Sequence, residues 1–454
     1  MRLKKWLAVE IVAAAVFLLF SGCSVGTGIE SLLLPPKLSE EQSRINKALS
    51  DTAGKNISLK YPKSGDYRSP FIIKNLDGEE NEEAIAFYEK SGVGGSALRM
   101  ALLDRKDGQW VSTADHACPG TEVDKVMISD FGQSGETTVV VGYTLINQNY
   151  KVLEAYSYQN GTLKIFYTDK YSEMESFDIN NDGTNELILI SSGVQNTAKS
   201  IALNALNADE ASGGTPFAKV LVRNGDSFSE ISRVELDPIA IGYTSIVKGS
   251  VGVGIPALFI DTLVWSDQIE TQILYFENGA LSNPLYQKIE VLNATMRPYG
   301  YASMDIDGDG IVEIPIPAPF PGYETLSSEE QFFYADWYVF EQYALTKKNS
   351  GYLNANESYC FMIPSRWQGK VTAKQDVSTG ETVFYKYSGS LSDSNTELMR
   401  IFVGKKGSDD VKKADGYEVV ASKGQMEYMV KVPSGESEEL LPTQSEILLN
   451  FYVF

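Results

Sequence analysis

The chain has 454 residues, with 60 acidic against 39 basic side chains and a formal charge of −21. That balance argues against nucleic acid, whose binders need a basic footprint, and suits a solvated extracellular surface that favours divalent cations. The single histidine, His116, excludes a zinc site built on several imidazoles, and three cysteines are too few for a disulfide scaffold.

Arg2, Lys4 and Lys5 precede a short apolar run, "IVAAAVFLLF" (11–20), too short to span a bilayer comfortably. Residues 1–23 therefore read as an export signal. In "FSGCS", the small residues Ser21 and Gly22 stand directly before Cys23. This resembles the lipobox of bacterial lipoproteins. The resemblance implies that Cys23 carries the lipid, becomes the mature N-terminus and anchors the chain at the extracellular face of the cell membrane. Residues 24–56 read as a tether and a short helix. "SVGTGIESLLLPP" ends in a Pro-Pro stop, and "LSEEQSRINKALSDTAG" (38–54) follows with Ser39 and Gln42 at capping-box spacing and Gly54 at the C-terminal end. "NISLKYP" and "PFIIKN" look like entry strands, one of them a candidate to close a ring of sheets.

The span 57–350 repeats. "NLDGEENEEAIAF" (75–87), "DFGQSGETTVVVG" (130–142), "DINNDGTNELILI" (178–190) and "DIDGDGIVEIPIP" (305–317) align without gaps. Each is headed by a polar residue (Asn75, Asp130, Asp178, Asp305), and glutamate holds the ninth position in three of the four (Glu83, Glu186, Glu313). An apolar strand follows every time. The intervals are 55, 48 and 127 residues, so the last covers two periods, and "VKGSVGVGIPALFIDT" (247–262) is the degenerate copy it hides. Between the acidic turns lie Asp107-Gly108, Asn160-Gly161, Asn224-Gly225 and Asn278-Gly279, dipeptides suited to tight hairpins. Units of this length with about four antiparallel strands predict a mainly β fold, a β-propeller of about five blades.

In "DIDGDGIVE", Asp305, Asp307, Asp309, the carbonyl of Ile311 and Glu313 occupy alternate positions of a nine-residue loop. Alternation lets oxygens from one turn converge on a point, and several hard oxygens without nitrogen or sulfur suit Ca2+. Asp178, Asn180, Asp182, the carbonyl of Thr184 and Glu186 follow the same scheme with one carboxylate fewer. An EF-hand is rejected, because its bidentate glutamate would fall at Ile316. Asn75, Asp77, Glu79 and Glu83 form a weaker copy. The Asp130 copy, with Gly132, Ser134 and Thr138 at ligand positions, is expected to bind nothing. Local hydrogen bonding alone also favours Asp, Asn and Gly in turns, so the role expected of any ion here is structural. These loops resemble those of FG-GAP and VCBS-type repeats of integrin-like propellers, whose loops carry calcium. The chain as a whole resembles VCBS-repeat lipoproteins of Firmicutes.

His116, in "TADHACPG", reads as a loop residue with no nucleophile elbow nearby, and pairing of Cys118 with Cys360 stays open. From 355 to 454 the repeat gives way to "YCFMIPSRWQGKVTAKQD" and further strands, ending in "PTQSEILLNFYVF", a candidate helix. This segment reads as a small α+β domain whose pattern resembles a PsbP-like antiparallel sandwich, with Trp367 as a core or edge aromatic rather than a ligand platform. The function expected is that of a cell-surface binding or scaffold module, not an enzyme, presenting a face to an extracellular protein or a cell-wall glycan. The alternative is an extracellular glycan hydrolase, which needs only two well-placed carboxylates.

Overall fold

The computed structural model describes residues 38–90, 97–132, 136–192, 215–407, 410–434 and 439–454. The export signal, Cys23, the tether and Ser134 lie outside them. The chain is mainly β. The first element is helix α1 (Glu40–Ala53), with the reciprocal capping box of Ser39 and Gln42 in place.

Six antiparallel sheets follow in chain order among the described residues. The first holds β1 (Ile57–Leu59), β2 (Phe71–Lys74), β3 (Glu83–Lys90), β4 (Leu98–Lys106) and β5 (Gln109–Ala117). Both entry strands, β1 and β2, pair with β3, so neither joins a later sheet. The second is a meander of β6 (Glu122–Ser129), β7 (Thr138–Thr144), β8 (Lys151–Gln159) and β9 (Thr162–Tyr171), and the third one of β10 (Glu173–Phe177), β11 (Glu186–Ser191), β12 (Phe217–Arg223) and β13 (Phe228–Glu235). The fourth has β14 (Gly242–Ser250), β15 (Pro256–Leu263), β16 (Gln268–Glu277) and β17 (Ala280–Ser282), then α2 (Ile289–Asn293) and β18 (Arg297–Pro298), which pairs with β16. The fifth begins β19 (Ile314–Pro319), β20 (Phe333–Glu341), β21 (Ala344–Asn354), β22 (Tyr359–Met362). The sixth contains β23 (Val371–Asp376), β24 (Glu381–Lys386), β25 (Glu397–Lys405), β26 (Glu418–Lys423) and β27 (Met426–Lys431), with α3 (Asp410–Ala414) between β25 and β26. After α4 (Gln444–Asn450), strand β28 (Phe451–Val453) returns to pair with β22 of the fifth sheet. The domain boundary expected at 350–355 therefore falls inside the fifth sheet, which β22 and β28 extend beyond it.

Why the second strands read as unbroken apolar runs is clear from the packing. Alternate residues of a strand face opposite sides, and both sides here are covered. Val139 and Val141 of β7 pack with Ile85, Leu102 and Phe87 of the first sheet, whereas Val140 packs with Leu187 and Leu221 of the third. In β11, Leu187 and Leu189 face the second sheet, and Ile188 and Ile190 face Leu258, Ile260 and Leu274 of the fourth. Ala257 and Phe259 then meet Ile314 and Phe340 of the fifth. Each fully buried Leu, Ile or Phe contributes roughly 1.5–3 kcal/mol, so the first four sheets are held through both faces. The outer face of the first sheet, with Phe71, Ala86, Tyr88 and Leu103, is covered by Ile45 and Leu49 of α1. Glu41 of α1 also accepts from the Trp110 indole at 2.7 Å and pairs with Arg105.

Three of the four expected hairpins turn as anticipated. Asp107-Gly108, Asn160-Gly161 and Asn278-Gly279 all have positive φ at both residues. Asn224-Gly225 instead lies in a wider loop closed by Asn224 N–H on Ser227 O. His116 sits on β5 beside Tyr156 rather than in a loop, because β5 runs on to Ala117. No disulfide joins Cys118 and Cys360, which lie buried in separate apolar clusters. Trp367 is in the core shared by the fifth and sixth sheets and donates Nε1–H to Leu440 O at 2.7 Å.

Candidate functional site

Every copy of the repeat leads directly into a strand of its sheet. Residues 75–83 lead from β2 into β3, 130–138 from β6 into β7, 178–186 from β10 into β11, and 305–313 into β19. The copy without carboxylates, at 251–255, joins β14 to β15. The ninth-position glutamates share one contact. Glu83 accepts from Leu76 N–H at 2.7 Å, Glu186 from Ile179 N–H at 3.0 Å and Glu313 from Ile306 N–H at 3.1 Å. Each is a buried carboxylate that ties the second residue of the loop to the start of the strand.

The head residues organise the turns. Asp178 accepts from Asp182 N–H at 3.0 Å and Gly183 N–H at 2.9 Å, and Asp305 accepts from Gly308, Asp309 and Gly310 N–H at 2.8, 3.1 and 2.9 Å. Gly183 and Gly310 adopt φ of 92° and 85°, a left-handed conformation that side chains avoid. Asn180 bonds Asp182 at 2.9 Å, and Thr184 donates its N–H and hydroxyl to the same carboxylate.

Two triads result. Carboxylate oxygens of Asp178, Asp182 and Glu186 lie within 4.8 Å of one another, as do those of Asp305, Asp307 and Glu313. Both are placed to hold a metal ion. Of the remaining expected ligands, Asn180 bonds into the first triad, whereas Asp309 meets the second through a lysine. The carbonyls of Thr184 and Ile311 belong to residues whose N–H groups bond Asp182 and Asp309, each at 2.9 Å.

The two triads differ in what faces them. In 178–186, Glu186 is fully buried and its Oε1 has no hydrogen-bond partner, while Oε2 is committed to Ile179. Burial, followed by the nearby Asp182 and Asp178, pushes its carboxyl up to about 7. Among the described residues no basic side chain forms an ion pair with this triad. In 305–313, the ammonium of Lys348 from β21 lies 2.9 Å from Asp307, 2.6 Å from Asp309 and 2.7 Å from Glu313. Burial lowers the Lys348 pKa, but hydrogen bonds to Asp309, Glu313 and Asp307 outweigh it and hold the ammonium above its ordinary value.

In the other two acidic copies, described polar groups find partners within the protein. Asn75 donates to Glu79 O and accepts from Gly78 N–H at 2.6 Å, filling its own turn. In the second copy Arg223 of the third sheet is 5% exposed and bonds Thr138 at 2.8 Å and Glu136 at 2.6 Å, while its N–H bonds Phe131 O at 2.7 Å. Neither Lys348 nor Arg223 was marked by the loop pattern, because both come from strands distant in sequence.

Four cavities among the described residues are each lined by a single carboxylate residue. One of about 540 Å³ lies between the fifth and sixth sheets, with Phe320, Tyr334, Trp367 and Glu324 on its wall. The others present Glu357, Glu122 or Glu173.

No protein-family model matches the chain, and no curated protein does. Among solved structures, an exotype rhamnogalacturonan lyase aligns at 11% identity and a TM-score of 0.30, covering 76% of this chain and 74% of its own. A rhamnogalacturonan lyase of Bacillus licheniformis aligns at 11% identity and 0.31, covering 72% and 74%. A putative 6-phosphogluconolactonase from Bacteroides uniformis aligns at 12% identity and 0.28, covering 73% and 95%. Likeness at these scores establishes neither shared chemistry nor a shared fold.

Proposed function

We propose that this protein is a cell-surface binding or scaffold module, anchored through lipid on Cys23, whose repeated sheets are propeller-type blades and whose 178–186 loop is clamped by a structural Ca2+. The observation that carries the ion is the fully buried Glu186, which has one oxygen without a hydrogen-bond partner and whose carboxylate is grouped with those of Asp178 and Asp182. A buried anion needs a proton or a cation, and an all-oxygen set in a flexible turn favours calcium, which accepts about six to eight oxygens.

The blade reading is supported by the face-to-face packing of consecutive sheets and by their first strands. Lys125 of β6 contacts Glu175 of β10 at 2.5 Å, and Lys248 of β14 contacts the same carboxylate at 3.0 Å, so three first strands lie side by side. The helix α1 occupies the outer face of the first sheet, which is then unavailable to a ring-closing sheet. The sixth sheet, with α3 and α4, is read as the α+β unit that follows. The partner is an extracellular protein or cell-wall glycan.

The test is thermal unfolding of the protein lacking residues 1–23, stripped of divalent ions and then titrated with Ca2+. The expected result is a rise in Tm that Asp178→Ala/Asp182→Ala abolishes. No shift in the parent protein would sink the calcium clamp. The anchor is tested separately by Cys23→Ala, which should release the protein from membranes.

A further inference from the structure

The fifth loop has the richer set of carboxylates, yet a positive charge already stands among them. Lys348 reaches Asp307, Asp309 and Glu313 at 2.6–2.9 Å, and these are three of the side chains whose spacing suggests a metal. Its reach has a structural cause. In the β20–β21 ladder Trp337 pairs with Asn349 and Tyr338 with Lys347, so Lys348 is the extra residue of a β-bulge. A bulge breaks strand alternation and re-aims the extra side chain. The adjacent Lys347 bonds Asp336 at 2.6 Å instead. Glu313 is fully buried, and a charge there must be paired in place.

We infer that Lys348 is the resident cation of the 305–313 loop, a tethered ammonium in the position of a divalent ion, so that this loop closes without metal. A calcium ion would coordinate the same oxygens at about 2.3–2.6 Å, leaving no room for the ammonium beside it. The loop is also tied to the fourth sheet. Ser250 N–H and hydroxyl donate to Gly310 O at 3.0 and 2.6 Å, and Val312 N–H donates to Ser250 O at 3.3 Å. Lys348 therefore secures the junction of fourth and fifth sheets at any calcium concentration, whereas the junction at 178–186 depends on the ion. This inference rests on reading the acidic loops as cation sites, and its test isolates the fifth loop from the third.

The test is calorimetric Ca2+ titration of the full chain in detergent. Asp178→Ala/Asp182→Ala silences the third loop, and Lys348→Met is then added to that background. The expected result is no binding in the double variant and one Ca2+ per chain once Lys348 is replaced, at an affinity at least tenfold above the background. Lys348→Gln, which keeps a polar side chain, serves as the second variant, and its Tm in chelator should fall and be restored by Ca2+. Two results would overturn the inference: one Ca2+ bound with Lys348 intact and lost in Asp305→Ala/Asp309→Ala, or no site gained by either Lys348 replacement. If the parent chain binds no Ca2+ while Lys348→Met gains a site, the third-loop reading fails and this one stands.

Discussion

The loops at 178–186 and 305–313 have the same backbone path, the same buried ninth-position glutamate and the same clasp onto the second residue. They differ in one visitor. Three carboxylates of the fifth loop surround the Lys348 ammonium, whereas among the described residues no basic side chain pairs with the third, where Glu186 keeps a buried oxygen without a hydrogen-bond partner. The fold has thus used one turn twice and set different groups against it. The difference lies in a bulge on a strand 35 residues beyond Glu313, not in the loop.

Removing Lys348 should break this comparison most forcefully. Lys348→Met leaves the buried Glu313 without its cation, and loss of one partner of a buried pair costs about 3–5 kcal/mol. Denaturant unfolding in chelator would read the loss, and an unchanged midpoint would mean that the pair is solvated enough to be dispensable. Next comes calcium on the parent protein. At a hundredfold excess over Kd, linkage gives about 2.7 kcal/mol, and this gain should survive Asp305→Ala/Asp309→Ala but not Asp178→Ala/Asp182→Ala. Equal losses in both variants would make the two loops equivalent.

Another buried glutamate sharpens the contrast, with no ion pair to any basic side chain among the described residues. Glu270 on β16 is fully buried with both oxygens unpartnered, and burial, then Asp237, pushes its carboxyl from 4.5 to about 8. Its folded pKa lies above the unfolded one, so the folded state holds the extra proton between them. Stability is then full at low pH and falls as pH rises from 4.5 towards 8. Glu270→Gln should flatten that decline, as seen in urea midpoints at pH 5 and pH 8. A parallel decline in parent and variant would assign the pH dependence elsewhere.

How far the sequence foretold these differences depends on the distance over which each acts. The capping box of Ser39 and Gln42, three Asn-Gly or Asp-Gly turns and the placing of each acidic turn before an apolar strand are set by neighbours, and all were legible. The turn at Gln342-Tyr343 was not, since both residues take positive φ without glycine or asparagine. Lys348 lies in "ALTKKNSGYLN", where a lysine looks like any solvated strand residue until the bulge turns it inward. Arg223 on the second copy, and the return of β28 to the fifth sheet, are likewise pairings between distant segments that local pattern does not encode.

The smallest expected effect belongs to the first loop, where the same turn is satisfied by a neutral group. Asn75 donates to Glu79 O and accepts from Gly78 N–H, and no charged partner enters. Glu83 still clasps Leu76, so the strand entry survives loss of the amide. Asn75→Ala should therefore cost only about 1 kcal/mol, the net worth of ordinary hydrogen bonds, and the cost should be the same with calcium or chelator present. Were the loss to deepen on chelation, the first loop would hold an ion of its own, and charge count would be a poor guide to which copies bind. An identical loss in both conditions separates the jobs within the turn: the ninth glutamate fixes the backbone in every copy that has it, and whatever stands in the centre (amide, ammonium or calcium) only has to balance the charge found there.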